Sequence, residues 1–470
     1  MDGGIVEQGG VLKENLLTNS GFDVWSNSTL VNATGTKLHP ENNCTDPDND
    51  TDSTTGWSSH NGGTLSSEES VAGFSGSVLK VLDTAGADGS AYFTAATVVG
   101  KLYKLVFTQK NGDNRGFVTV GQNANDYDGD VYEVLDNASA TVSTIVFEAS
   151  FTTTYVSLGS LDDVDYCYFN DVSLYEVTPG CVAADGVAMD GWWKQTSLDI
   201  WRQHNDATHT KEGSFYSLKV TAAGTNQFIN WKTFGASGTT VTKDTIRGER
   251  LAGRTVTAGC WVKSDGTNDA GIQYRDYLSS TWASRSYGIT TSSSWTWIEG
   301  THTWDTSTSP YFNPFMFYVE NGGTAYFSQP MLVFGNSIGE GNYSRPPGEI
   351  VWFDYYSRIV NNGTPVAGDD KILNLEALSN GKIPKGIKAV HLLAQGEHAT
   401  ATTNQGIQLG ADSTGQSGYP LRLYPPVSDM RHHASGWVYC DTNGDIYQNV
   451  TTLADTFSNY YIDVMGVELR

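Results

Sequence analysis

An all-β chain is predicted by three features of the sequence: a strand-period alternation, clearest between Leu251 and Ser264, a composition poor in helical stretches, and a second appearance of the same strand. In LAGRTVTAGCWVKS, Val256, Ala258, Cys260 and Val262 fall on one face of an extended segment and Thr255, Thr257, Trp261 and Lys263 on the other, because strand side chains alternate with a period of two. The segment is expected to be a half-buried strand, fed by the turn Leu251-Ala252-Gly253-Arg254, where Gly253 takes a backbone angle that other residues avoid. Of 470 residues, 12% are aromatic, 51 are glycine and only 17% are charged, a mixture that suits short strands and many turns. Apolar stripes at helical spacing are short, and Leu373 to Leu378 is the best helix candidate.

The strand recurs. Val98 to Lys110 (VVGKLYKLVFTQK) lies over Leu251 to Lys263 without a gap, Gly100 matching Gly253, with Tyr103, Leu105 and Phe107 as its inward set. Flanking pieces match in the same order: Gly56-Trp57 with Gly191-Trp192, Leu79-Lys80-Val81 with Leu218-Lys219-Val220, and Tyr168-Phe169 before Leu174 with Tyr326-Phe327 before Leu332. The offset only grows along the chain, as two copies of one domain with loop insertions require. At roughly 150 residues per domain the length gives about three domains, each long enough for its own core. The expected layout is an arm at 1–14, a β-sandwich at 15–178, its duplicate at 179–347 and a smaller terminal sandwich at 348–470.

With 28 Lys plus Arg against 52 Asp plus Glu, the net charge of −24 argues against nucleic acid and anionic membrane surfaces and in favour of neutral sugars, cations or protein partners. No apolar run approaches the ~20 residues that span a bilayer, and MDGGIVEQGG has neither a basic nor an apolar signal region, so neither membrane insertion nor ordinary export is expected. Cys44, Cys167, Cys181, Cys260 and Cys440 show no metal or disulfide spacing and are expected to be buried small hydrophobes in a reducing compartment.

Asn15-Leu16-Leu17-Thr18-Asn19-Ser20-Gly21-Phe22-Asp23 is read as the opening of the first domain. With Gly56-Trp57, the Leu79 strand, the Gly100 hairpin and Asn170-Asp171-Val172-Ser173-Leu174-Tyr175, it resembles the carbohydrate-binding-module type of β-sandwich, a galactose-binding-like jelly roll. The second copy runs from Asp190-Gly191-Trp192-Trp193 through the Leu218 and Leu251 strands to Gln329-Pro330-Met331-Leu332 and Tyr343-Ser344-Arg345-Pro346, and resembles a sandwich common in tailed-bacteriophage fibres and other virion proteins. The resemblance implies a non-enzymatic virion protein, assembled in the host cytoplasm, that acts as a tail fibre or adhesin on a host-surface glycan or receptor. The alternative it leaves open is a structural virion component, such as a capsid decoration, head fibre or collar protein, whose sandwiches bind neighbouring virion proteins. By analogy with fibres the chain is expected to be a homo-oligomer, most simply a trimer.

Asp46, Asp48, Asp50 and Asp52 alternate in one short loop and offer a hard cation several oxygens, although the glycine and distal glutamate of an EF-hand are absent. Asp126-Tyr127-Asp128-Gly129-Asp130 with Glu133 is a weaker version of the same pattern. The family resemblance adds a structural Ca2+ between an acid after the opening segment and one near the last strand, positions held here by Asp23 and Asp171; the second copy has Gln329 in place of Asp171. Gly335-Asn336-Ser337-Ile338-Gly339 has the letters of a nucleophile elbow, but the glycines and prolines that follow exclude the helix an elbow needs. His432-His433 with Asp429 reads as an exposed loop, and Asp162-Asp163-Asp165 has no partner motif for glycosidase chemistry.

Sugars stack their CH faces on aromatic rings while polar neighbours take the hydroxyls. The region from Trp231 to Trp304 is densest in such rings: Tyr277 and Trp282 flank a loop, and with Tyr274 and Trp231 they are the expected ligand-binding residues, while Trp295 and Trp297 are expected in the core. In the last domain Glu349 to Tyr356, Ala389 to Ala394, Gly436 to Cys440 and Tyr460 to Leu469 read as strands. Their order resembles the receptor-facing tip of phage fibres.

Overall fold

The computed structural model describes residues 6–8, 11–38, 54–84, 86–161, 165–182, 186–204, 206–224, 228–231, 251, 253–278, 281–304, 312–346, 348–363, 365, 370–398, 406–412, 420–424, 427, 429–451 and 457–470. They form antiparallel sheets with one short helical turn, Leu375–Leu378, capped by the Asn374 side chain accepting from the Ala377 amide at 2.9 Å. That turn lies inside the stretch the sequence marked for a helix. The chain divides into two units, Val31–Thr178, and Met1–Leu30 together with Pro179–Arg470.

After a short hairpin of β1 (Val6–Gln8) and β2 (Val11–Lys13), the strands of the Val31–Thr178 unit begin with β3 (Thr29–Lys37), β4 (Ser58–His60), β5 (Gly63–Glu68) and β6 (Val78–Asp83). They continue as β7 (Ser90–Ala96), β8 (Leu102–Asn111), β9 (Gly116–Gly121) and β10 (Val131–Leu135). The last are β11 (Thr141–Glu148), β12 (Thr153–Ser160) and β13 (Tyr166–Cys181). One sheet is ordered β10-β9-β12-β7-β4, and the other β11-β8-β13-β6-β5 with β3 beside β13. Between them Phe93, Val118, Val156 and Leu158 meet Leu79, Leu105, Phe107 and Phe169 in one buried core.

The second sandwich repeats this plan strand for strand. Its members are β14 (Trp192–Lys194), β15 (Leu198–His204), β16 (Tyr216–Ala222), β17 (Phe228–Trp231) and β18 (Thr255–Ser264), then β19 (Ala270–Leu278), β20 (Thr281–Thr290), β21 (Thr296–Thr303), β22 (Phe312–Val319) and β23 (Thr324–Phe334). The sheets run β20-β19-β22-β17-β14 and β21-β18-β23-β16-β15, the first copy's orders shifted by ten. Register agrees to the residue: Lys80 faces Tyr168 as Lys219 faces Tyr326, and Leu105 faces Leu174 as Ala258 faces Leu332. Both copies bulge after the same position, with Asp171 and Gln329 each at φ 52°. In the turns, Gly100 N–H donates to Ala149 O and Gly253 N–H to Trp304 O. Lys110 Nζ ties down Ala72 O at 2.9 Å, and Lys263 Nζ ties down Thr208 O at 2.7 Å. The expected inward set Val256, Ala258, Cys260 and Val262 is fully buried. Cys167, Cys181, Cys260 and Cys440 are buried and unbridged, while Cys44 lies outside the described residues.

The segment Asn15–Asp23 does not open the first sandwich. It belongs to the other unit, so the second sandwich begins with residues 15–30, is interrupted by the first sandwich, and resumes at Pro179. What decides this is where the rings of the segment are covered: Leu17, Phe22 and Trp25 share one core with Met189, Trp192, Leu218 and Phe317. Leu16 N–H also donates to Leu332 O, and the Asn15 carboxamide bonds the Leu332 amide and Pro330 O.

The third sandwich pairs β24 (Ile350–Gly363), β31 (Phe457–Glu468), β26 (Ala389–His398) and β29 (Arg431–Tyr439) in one sheet. β25 (Lys371–Leu373), β30 (Ile446–Val450), β27 (Ile407–Gly410) and β28 (Leu421–Leu423) form the other. Its core gathers Val351, Leu375, Val390, Leu409 and Ile462, and Val24 of the early segment enters it.

Polar groups fix the segment between the two cores of its unit. Asn19 Oδ1 accepts from the Asp23 and Val24 amides, and its Nδ2 donates to Val24 O and Asp190 O. The Asp190 carboxylate accepts from the Ser26 amide and hydroxyl and from the Asp354 amide. Arg202 and Glu376 form an ion pair at 3.0 Å with both side chains only 2% exposed. Breaking such a pair from one side strands a buried charge at a cost of about 3–5 kcal/mol, so Glu376→Ala is expected to lower the denaturation midpoint sharply, measured by urea titration. Burial pushes the carboxyl of Glu349 up to about 7 and that of Asp190 up to about 6. Each therefore holds a proton in the folded chain that the unfolded chain has released, and its contribution is lost as pH rises through the folded value. The midpoint should fall between pH 5.5 and pH 8, and Glu349→Gln should flatten that fall. An expressed Val31–Thr178 fragment should melt cooperatively, whereas Pro179–Arg470 without residues 15–28 should not.

Candidate functional site

In the Val31–Thr178 sandwich, Ala91, Phe93 and Ala95 of β7 and Val156 and Leu158 of β12 point into the core. Alternation then sends Ser90, Tyr92, Thr94, Tyr155 and Ser157 to the outer face of the five-stranded sheet. Register aligns one row across all five strands, Ser58–Tyr92–Ser157–Thr119–Tyr132. On the same face the half-buried rings of Tyr92 and Tyr155 lie 5.6 Å apart, tilted by 35°, and His60 meets Tyr92 edge-on at 6.3 Å. These three rings and the exposed Ser58 and Thr94 form the open half of the face.

The other half is roofed by the loop between β9 and β10. Asn125, at φ 56°, donates its amide to Ser157 Oγ and its side chain to Asp88 O, and Tyr127 Oη donates to Asp88 Oδ2 at 2.9 Å. Burial first, then the bond to Asp88, raise the Tyr127 phenol well above its ordinary pKa, which keeps it protonated as a donor. Tyr127 in turn packs on Phe117 at 5.8 Å and Tyr132 at 5.0 Å. Beneath the roof and at its margin, Ser90 Oγ, Thr119 Oγ1 and Asn125 Oδ1 are buried with no hydrogen-bond partner among the described residues. Such groups cost about 1–3 kcal/mol each until something bonds them. The face thus combines half-buried ring surfaces with exposed hydroxyls at its open half.

The residues expected from the sequence to bind ligand are elsewhere. Tyr274 is only 8% exposed, because β19 turns it inward with Ile272; its ring stacks on His302 at 4.2 Å and meets Tyr287 at 4.8 Å, so it is a core residue and not a platform. Trp231 is half-buried against the same core. Tyr277 and Trp282 face each other across β19 and β20, and their side chains lie outside the described residues. Trp297, expected in the core, lies instead over Gly259 on the outer face, its Nε1 donating to Glu299 at 3.1 Å.

Of the expected metal ligands, Asp46, Asp48, Asp50 and Asp52 lie outside the described residues. Asp23 is held by the Arg345 guanidinium at 3.0 and 3.1 Å, and Asp171 is exposed in the other unit. Asp126 accepts from the Gln122 amide and Asp130 from the Ser150 amide. Among the described residues no three His, Cys, Asp or Glu gather closely enough to hold an ion. Around Ser337, the Ile338 and Gly339 amides both donate to Glu299 in a turn with no following helix. The sequence missed the Tyr92–Tyr155 pair because the two rings are 63 residues apart and meet only when β7 and β12 pair in register.

No known family profile matches the chain, and no curated protein does. Among solved structures it is similar to the CBM22-1–CBM22-2 tandem domain of Paenibacillus barcinonensis Xyn10C, with 11% identity, 61% of this chain and 95% of that one covered, and a TM-score of 0.28. The N-terminal cellulose-binding domain of Cellulomonas fimi β-1,4-glucanase C shows 19% identity over 27% of this chain and 91% of that one, with a TM-score of 0.21. The enzymatically active domain of bacteriophage CBA120 tailspike protein 4 shows 12% identity over 34% and 21%, with a TM-score of 0.20.

Proposed function

We propose that this chain is a non-catalytic glycan-binding protein that holds a neutral saccharide along the outer face of β10-β9-β12-β7-β4, and that it serves a virion as a fibre or adhesin. The observation that carries the glycan reading is the Tyr92–Tyr155 ring pair on an open sheet face beside His60 and the exposed hydroxyls of Ser58 and Thr94. Rings take the apolar CH face of a pyranose, and exposed side-chain hydroxyls beside them take its hydroxyl groups. A net charge of −24 favours a neutral ligand over an anionic one. The virion setting rests on the sequence resemblance of Leu251–Ser264 and Gln329–Pro346.

Glycan-array screening of the full chain followed by calorimetric titration tests the reading. Tyr92→Ala and Tyr155→Ala should each weaken the best saccharide at least about tenfold, or about 1.4 kcal/mol, with the melting curve unchanged. Trp282→Ala should leave affinity alone. Equal affinity in the two tyrosine variants, or an array without a single binder, removes the proposal.

A further inference from the structure

The third sandwich carries an exposed aromatic face, and we propose that it is where this chain meets a second copy of itself. On the outer side of β24-β31-β26-β29, register builds the row Trp352–Gly466–His391–Trp437. Gly466 is needed there because the Trp352 ring lies across it: a Cβ would stand 2.9 Å from Cε3. His391 and Trp437 brace the ring at 5.2 and 5.7 Å. Although fixed in place, Trp352 remains 54% exposed. The adjoining row, Ile350–Glu468–Ala389–Tyr439, ends in a tyrosine 61% exposed, and within the nearby bulge of β24 Tyr355 is 68% exposed.

Size and charge both point to a copy of the chain as occupant. At roughly 100 Å² of exposed surface per half-open aromatic side chain, Trp352, Tyr355, Tyr356 and Tyr439 with Ile350 present on the order of 500 Å². Adding a polar rim brings the face near the ~800 Å² per partner of a standard interface, and Trp and Tyr are the residues that dominate such contacts. A chain of charge −24 repels its own copies over most of its surface. Here two carboxylates of β31 are paired, Glu468 with Lys388 at 2.5 Å and Asp463, which lies opposite Arg358 of β24, with that arginine at 2.7 and 3.0 Å. With these two charges paired, the face meets an identical one at less electrostatic cost than the rest of the surface. The inference goes beyond glycan binding and does not depend on it.

Sedimentation velocity of the full chain across micromolar concentrations tests it. The wild type should sediment at a multiple of the single-chain mass, and the Tyr355→Ser, Tyr439→Ser double variant should dissociate at concentrations at least tenfold higher with an unchanged circular dichroism melt. Ile350→Lys should do the same from an independent position. A wild type that stays monomeric, or variants that keep the wild-type mass, overturns the proposal. Saccharide binding that these variants abolish while the mass stays at one chain overturns it in favour of a sugar platform.

Discussion

The unit formed by residues 1–30 and 179–470 depends on one carboxamide. Asn19 makes all four hydrogen bonds its side chain allows, two accepted from the Asp23 and Val24 amides and two donated to Val24 O and Asp190 O. It thereby shapes the tight loop that sends Phe22 and Trp25 into the second sandwich and Val24 into the third. A residue without that pattern of donors and acceptors leaves backbone groups buried and unbonded, so the geometry of the loop and the integrity of both cores rise or fall together.

Much of the fold was legible. Alternation between Thr255 and Ser264 named the side of β18 that enters the sandwich core, although the strand is not half-buried as expected, since Thr257 and Trp261 on its other side are covered too; the matched pieces around Trp57, Lys80 and Gly100 foretold a duplication that strand order and register confirm. These signals are local, carried by neighbours in sequence. The placement of Asn15–Asp23 was not legible, since any sandwich lacking a first strand has use for its apolar pattern and only long-range bonds such as Leu16 to Leu332 choose among them. Tyr274 and Trp297 were misassigned for a related reason: Tyr274 follows Ala270 and Ile272 on the inward side of β19, which only the sheet pairing identifies, and the core side of β21 is taken by Ile298.

The two copies kept what packs and changed what faces out. The Lys–Tyr pair and the loop-tying lysine are the same in both. The outer row, by contrast, reads Ser58–Tyr92–Ser157–Thr119–Tyr132 in one and Trp193–Asn230–Met316–Gln273–Ser286 in the other. Packing constrains the interior to one solution, whereas a row on the outer side of a sheet is free to acquire a ligand or to lose one.

The interrupted connectivity has a mechanical consequence. Tension applied upstream of Asn15 and downstream of the third sandwich is borne first by Asn15–Ser28 against the sheets and loops it is bonded to, through Leu332, Asp190 and Lys382. The Val31–Thr178 sandwich stays outside that load path until the segment peels away. A tyrosine-lined face on an unstrained domain keeps its shape while the rest of the chain is being pulled.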